Sequence, residues 1–270
     1  MKKLVGFSGL PTEVSEQIGQ VVQIWQKHLG NDLVGVYLHG SIALNAFCPD
    51  SGDIDILVVV KESLAADKKL AIAKDIISID GKPRPVEMSA IKLSDAKNWV
   101  NHGNCVFHYS DFWTERYLKR FSDPEAELFV VDQEFPDADV TSYIRLLKEH
   151  GIVLTGKPIE EVFSDISDAD FWDAISEGVD DYRFDNYNPR YFASNILILG
   201  RILSFKVEKR ILSKFEAGKW MIGHVPQELK YLPERAMRVW FEEEEQEFPS
   251  DDMEKLRLYL ISEIKGREIP

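Results

Sequence analysis

The chain has 270 residues, 44% hydrophobic and 29% charged, which is ordinary globular composition and excludes disordered and low-complexity classes. Its 32 basic against 46 acidic side chains leave a net charge of −14, a surface that repels nucleic-acid phosphates and anionic lipid and attracts cations. Two cysteines, Cys48 and Cys105, cannot build a disulfide scaffold, and no apolar run approaches the roughly 18 residues of a membrane helix. The stretch after Met1-Lys2-Lys3 is also too short for a signal peptide, so the expectation is a soluble protein of the cytoplasm.

In chain order, residues 11–29 carry Val14, Ile18, Val21, Val22 and Trp25 at helical spacing, with Gly30 to end the helix. Residues 33–39 are β-branched and aromatic, long enough for a strand and too short for a helix. A Gly40-Ser41 turn follows. Residues 54–60 (IDILVVV) give the strongest strand signal, residues 63–79 a helix, and residues 84–91 (RPVEMSAI) a third strand. Asp137-Ala138-Asp139 opens a helix to His150. Residues 152–154 are a short strand-like run, and Asp168-Ala169-Asp170 opens a helix to about Val179.

Asn188-Pro189 pairs an N-cap residue with proline at the first helical position, and the helix to about Phe205 is apolar nearly all round, hence buried. Ser213 and Glu216 form a capping box. Helices over residues 233–247 and 250–264 complete the chain, with the acidic run 242–245 on a solvated helix face. The expected class is α+β: a domain of small mixed sheet and helices over residues 1–135, then an all-helical domain over residues 136–270.

One constellation carries chemistry. A strand runs into Gly40-Ser41, eleven residues intervene, and Asp53-Ile54-Asp55 then leads an apolar strand. Side chains alternate along a strand, so Asp53 and Asp55 share a face about 7 Å apart. Two carboxylates there repel each other, and a divalent cation between them keeps both ionised. All-oxygen ligands suit Mg²⁺, which takes one or two carboxylates plus substrate phosphates. Gly40 lets the backbone turn tightly, and Ser41 offers a hydroxyl and an N–H at a helix start, a place favourable for a phosphate, a short loop away from the metal. Glu87, between Val86 and Met88, faces opposite to both, and a strand paired beside residues 54–60 brings it to the two aspartates, as a third ligand or as a general base.

The segment YLHGSIALNAFCPDSGDIDILVVV resembles the signature of the polymerase-β-like nucleotidyltransferases. The whole chain is similar to the adenylyltransferases that modify streptomycin and spectinomycin: LLKEHGIVLTGKPIEEVF resembles the segment linking their domains, and NILILGRILSFKVEKRILSKFEAGKW their C-terminal helices. The resemblance implies AMP transfer from ATP to a hydroxyl of a cationic antibiotic. It implies that Gly40, Ser41 and Ser51 hold the nucleotide, Asp53 and Asp55 bind Mg²⁺, Glu87 is the base, and Arg201 and Lys214, thirteen residues apart, reach the phosphates. The antibiotic-facing aromatic falls at Phe112 or Trp113, and an acidic group from the C-terminal half falls at Asp181 or Asp185. The expected partners are ATP and the drug, without nucleic acid or membrane, and nothing demands more than a monomer. The alternatives are a nucleotidyltransferase for another small-molecule or protein hydroxyl and a non-catalytic nucleotide-binding protein on the same fold; the presence of all three acids counts against the latter.

Overall fold

The computed structural model describes residues 4–182 and 188–266. The chain divides into two compact units, Leu4–Ala174 and Ile175–Pro270. The first is α+β and the second, over its described residues, helical, in keeping with the expected class.

The first unit is built on seven strands: β1 (Leu33–Leu38), β2 (Ile54–Val60), β3 (Val86–Lys92), β4 (Asn104–Cys105), β5 (Phe107–Tyr109), β6 (Phe135–Pro136) and β7 (Ile152–Gly156). Five make one sheet in the order β5-β3-β2-β1-β7, while β4 and β6 pair separately. β1 is antiparallel to β2 and β7, and β3 to β5. β2 and β3 run parallel, joined through the helix Ala66–Ile79. One face of β2 and β3 is apolar as far as Lys92 at the end of β3: Ile54, Ile56, Val58, Val60, Val86, Met88 and Ala90 are all buried. The helix Thr12–Leu29 belongs to this layer, since its Trp25 meets Phe107 of β5 edge to face at 5.3 Å. The opposite face carries Asp55 and Glu87 at the leading ends of β2 and β3. The parallel register sets these two residues directly side by side.

The boundary differs from the one expected at residues 135 and 136. The sheet-bearing unit continues to Ala174 because the strand-like run at residues 152–154 is β7, which pairs with β1, and because the preceding helix Asp139–His150 turns Val140, Ile144 and Leu147 inward. A break in composition marked where the helices become frequent, not where the core ends.

In the second unit the helix Pro189–Glu208 is central, with Phe192, Ile196, Leu199 and Leu203 buried. It packs against Lys214–His224, Tyr231–Glu242 and Ser250–Lys265. Both caps form as expected. Asn188 Oδ1 accepts from the N–H groups of Arg190 and Tyr191, and Ser213 with Glu216 closes the capping box in both directions. The acidic run does not lie along a helix. Tyr231–Glu242 stops at Glu243, which adopts φ 55°, because a row of negative charge at a helix C-terminus opposes the dipole. Among the described residues no helix is long and apolar enough to cross a membrane.

Candidate active site

The site is assembled at the edge of β1, β2 and β3 where the sheet face turns polar. Asp53 precedes β2, Asp55 is its second residue, and Glu87 is the second residue of β3. Each of the three offers a carboxylate oxygen within 4.8 Å of the others, a spacing able to hold one metal ion. The expectation that these acids converge is met.

Gly40 sits against them with φ +63°, in the left-handed region. A Cβ built there would lie 1.7 Å from Asp55 Oδ2, so only glycine lets the backbone pass beside the carboxylate. Ser41 follows in the short helix Gly40–Ala43. Its Oγ is buried and makes no hydrogen bond among the described residues. An orphaned hydroxyl beside a carboxylate cluster fits a donor that waits for a phosphate oxygen. The three carboxylates and this hydroxyl thus suit a divalent cation with a triphosphate. Ser51 lies half-buried in the loop before Asp53, where its N–H donates to the Cys48 carbonyl at 3.1 Å.

Burial, with Asp53 next in weight, pushes the Glu87 carboxyl up to about 7. Asp139 and Asp137 push the same way, and a hydrogen bond from Tyr143 opposes them. That bond, Tyr143 Oη–H to Glu87 Oε1, is 3.2 Å long. Tyr143 also stacks on His39, ring centroids 4.4 Å apart and planes 24° apart. Its phenol is pushed well above the ordinary value by burial and then by Glu87, so it remains a donor. His39, the residue before Gly40, is buried and held neutral, its imidazole pushed down to about 3 by desolvation. Its N–H donates to the Asp55 carbonyl at 3.0 Å, tying the turn to β2. Farther along the face, Ser89 Oγ meets His108 Nδ1 at 3.0 Å, and Cys105 Sγ donates to Asp137 Oδ2 at 3.6 Å.

The sequence singled out neither His39 nor Tyr143. His39 stood in the open beside Gly40-Ser41. Tyr143 carried no signal apart from an ordinary amphipathic helix, because its role depends on which strand that helix covers.

The aromatic pair lies in the turn Asp111–Trp113. Phe112 is 68% exposed and therefore not a core residue, while Trp113 is half-buried, edge to face with Phe129 at 5.2 Å. The Arg116 guanidinium covers both rings, at 5.0 and 4.5 Å. Trp113 is the one of the two whose ring approaches His108, at 6.3 Å, which links it through Ser89 to the face that bears Glu87.

Arg201 and Lys214 belong to the second unit. Arg201 Nε donates to the Leu212 carbonyl at 2.9 Å. Lys214 Nζ reaches Ser194 Oγ at 3.1 Å and lies 3.9 Å from the centre of the Trp240 ring, which Arg190 also approaches at 4.7 Å. Asp181 is exposed at the end of a short 3-10 turn, and Asp185 lies outside the described residues.

Known proteins carry the same two parts in the same order. The family described as polymerase beta, nucleotidyltransferase, matches residues 20–111, and the C-terminal domain of aminoglycoside adenylyltransferase matches residues 161–262. Over both parts the chain is similar to the aminoglycoside adenylyltransferases. Among its relatives is an aminoglycoside (3'') (9) adenylyltransferase of Escherichia coli, 25% identical over 266 residues, spanning 93% of this chain and 95% of that protein. Another is a spectinomycin 9-adenylyltransferase of Enterococcus faecalis, 29% identical over 224 residues, spanning 79% of this chain and 82% of that one. The crystal structure of a spectinomycin adenyltransferase from Enterococcus, solved with ATP and spectinomycin, superposes with a TM-score of 0.79 at 26% identity, covering 93% of this chain and 99% of that one. The nucleotidyltransferase domain and the adenylyltransferase relatives make the chain an ATP-dependent nucleotidyltransferase.

Proposed function

We propose that this enzyme transfers AMP from ATP to a hydroxyl of a cationic aminocyclitol antibiotic, with spectinomycin the first acceptor to test and streptomycin the second. The observation that carries the reading is the convergence of Asp53, Asp55 and Glu87 within 4.8 Å, beside a glycine turn whose serine hydroxyl is unsatisfied among the described residues. The antibiotic acceptor is supported by the adenylyltransferase relatives and by the Enterococcus structure with its two ligands.

In this reading Asp53 and Asp55 hold Mg²⁺, which when bound neutralises the triphosphate and the charge developing on the leaving pyrophosphate. Ser41 donates its Oγ–H to a phosphate oxygen, and Gly40 lets the backbone come close. Ser51, Arg201 and Lys214 are further nucleotide contacts. Glu87 takes the proton of the acceptor hydroxyl as the oxygen attacks the α-phosphorus. A carboxylate poised near neutrality is well matched to that task. The rest is positioning and charge neutralisation, as is usual for phosphoryl-type transfer.

The acceptor is polycationic, and Asp137 and Asp139, whose charges reach Glu87, give its ammonium or guanidinium groups an anionic wall. Trp113, Phe112 and Asp185 are the proposed drug-facing residues, with Trp113 favoured over Phe112 by its approach to His108. The enzyme works in this reading as a cytoplasmic monomer on two small molecules. Two buried free cysteines agree with a reducing compartment.

Pyrophosphate release from ATP and Mg²⁺ with a panel of antibiotics tests the reading. Release dependent on spectinomycin or streptomycin is expected. Release dependent only on a lincosamide, a nucleotide or a protein acceptor would transfer the same chemistry to another substrate. No release with any acceptor would refute it.

A further inference from the structure

The half-buried ring of Tyr143 connects two parts of the site, one at the start of β3 and one at the end of β1. Its hydroxyl is 3.2 Å from Glu87 Oε1, and its ring is stacked 4.4 Å from His39, the residue that leads into Gly40 and Ser41. His39 Nε2 makes no hydrogen bond among the described residues, so stacking rather than bonding at that atom fixes this side of the ring. His39 in turn donates its N–H to the carbonyl of Asp55.

The helix that carries Tyr143, Asp139–His150, is itself firmly held. Val140, Ile144 and Leu147 are buried, Arg145 donates to the Ile166 carbonyl at 2.7 Å, and Lys148 pairs with Asp165 at 2.7 Å. A side chain anchored on such a helix can impose an orientation on its neighbours instead of following theirs. We propose that Tyr143 is a positioning residue for nucleotidyl transfer: its hydroxyl fixes one oxygen of Glu87 and leaves the other for the acceptor hydroxyl, while its ring sets the turn that carries Gly40 and Ser41. The proposal rests on the reading of Glu87 as the base and adds the group that aims it. Tyr143 exchanges no proton with substrate and touches neither ligand.

The two contacts separate by substitution. Tyr143→Phe deletes the hydroxyl and keeps the ring; Tyr143→Leu deletes both. In steady-state assays with ATP, Mg²⁺ and spectinomycin, Tyr143→Phe should lower kcat about tenfold or more and leave the KM for ATP within about twofold, in the range seen when a supporting hydrogen bond is removed. Tyr143→Leu should lower kcat as much and also raise the KM for ATP by about tenfold. A purely structural tyrosine would instead lower the melting temperature with kcat unchanged. A Tyr143→Phe kcat within twofold of the unmodified enzyme overturns the proposal, as do equal effects of both variants on KM. Glu87→Gln, measured alongside, distinguishes the two levels: full turnover in that variant refutes the base and the proposal together, whereas lost turnover there with unchanged Tyr143→Phe refutes Tyr143 alone.

A second measurement needs neither a Tyr143 variant nor an acceptor. In protein labelled with 3-fluorotyrosine, the substitution Glu87→Gln should move one ¹⁹F resonance, that of the tyrosine bonded to Glu87. A spectrum in which no resonance moves would overturn the link.

Discussion

The two ends of the chain handle polar groups in opposite ways. In the sheet-bearing unit, Asp53, Asp55 and Glu87 crowd together, Asp137 and Asp139 add to the same field, Ser41 Oγ and His39 Nε2 are buried without hydrogen bonds among the described residues, and Gly40 holds a left-handed conformation against Asp55. In the helical unit the charged residues of interest have local partners. Arg201 bonds a carbonyl, Lys214 bonds Ser194 and rests on Trp240, and both helix caps are fully made. Unfavourable local chemistry collects where a cation and a triphosphate would relieve it; elsewhere the chain follows the ordinary rules of packing and capping. Stability and activity should therefore respond in opposite senses when one of the crowded carboxylates of the first unit is neutralised, and stability alone should respond to cap substitutions in the second.

The largest effect sharpens that contrast. Asp53→Asn or Asp55→Asn removes a metal ligand and also a like charge, so turnover should fall at least about a thousandfold while the melting temperature of the ligand-free enzyme rises by a few degrees. Calorimetry and pyrophosphate release on the same preparations check both, and an aspartate variant that loses activity and stability together would break the comparison. Next comes Glu87→Gln, which should lower kcat about a hundredfold or more and keep ATP binding, read by titration calorimetry. Gly40→Ala should follow. The left-handed φ costs a non-glycine residue about 1–2 kcal/mol, and the new Cβ must displace the Asp55 carboxylate, so stability and turnover both fall.

Much of this region could be read before any coordinates. The pairing of Asp55 with Glu87 is implicit in two period-2 strands once those strands are neighbours, and the parallel register makes them so. The caps at Asn188 and Ser213 were legible because capping is a local matter of three or four residues. Three features were not legible, each for a reason of distance. Residues 152–156 look like a fragment in isolation and become an edge strand only when β1 is available to pair with. Tyr143 gains its meaning from a helix folding over β3, 56 residues earlier in the chain. Residues 242–245 favour a helix by composition, yet charge at the helix terminus ends it at Glu242.

Acid titration separates the units by a milder effect. The folded-state pKa of His39 lies at about 3, below its ordinary value near 6.5. The unfolded chain therefore binds the extra proton first as pH falls. Stability from this group is complete above about pH 6.5 and is lost progressively down to about pH 3. Between pH 7 and pH 4.5 the loss is on the order of 2–3 kcal/mol, at about 1.4 kcal/mol for each unit of the shift sampled. Urea unfolding of the unmodified enzyme against His39→Phe isolates it. The aromatic replacement retains stacking on Tyr143 and cannot protonate, so the variant should show a shallower loss over that range. Parallel pH dependences in the two proteins would show that His39 does not titrate in this way.

The smallest effect tests the helical unit by itself. Ser213 Oγ accepts from the Glu216 N–H at 3.2 Å, and Glu216 Oε2 accepts from the Ser213 N–H at 2.9 Å, so the first turn of Lys214–His224 has two of its otherwise unpaired donors satisfied. Ser213→Ala deletes one of these bonds and leaves a helix start with an uncapped N–H, at a cost of about 1 kcal/mol. Lys214 is the next residue, yet its head is placed by Ser194 and Trp240 rather than by the cap. The KM for ATP should then stay within about twofold while the urea midpoint falls. If the KM rises along with the loss of stability, the cap is part of the nucleotide-binding apparatus, and the division between a chemically stressed first unit and a conventionally satisfied second one does not hold at this position.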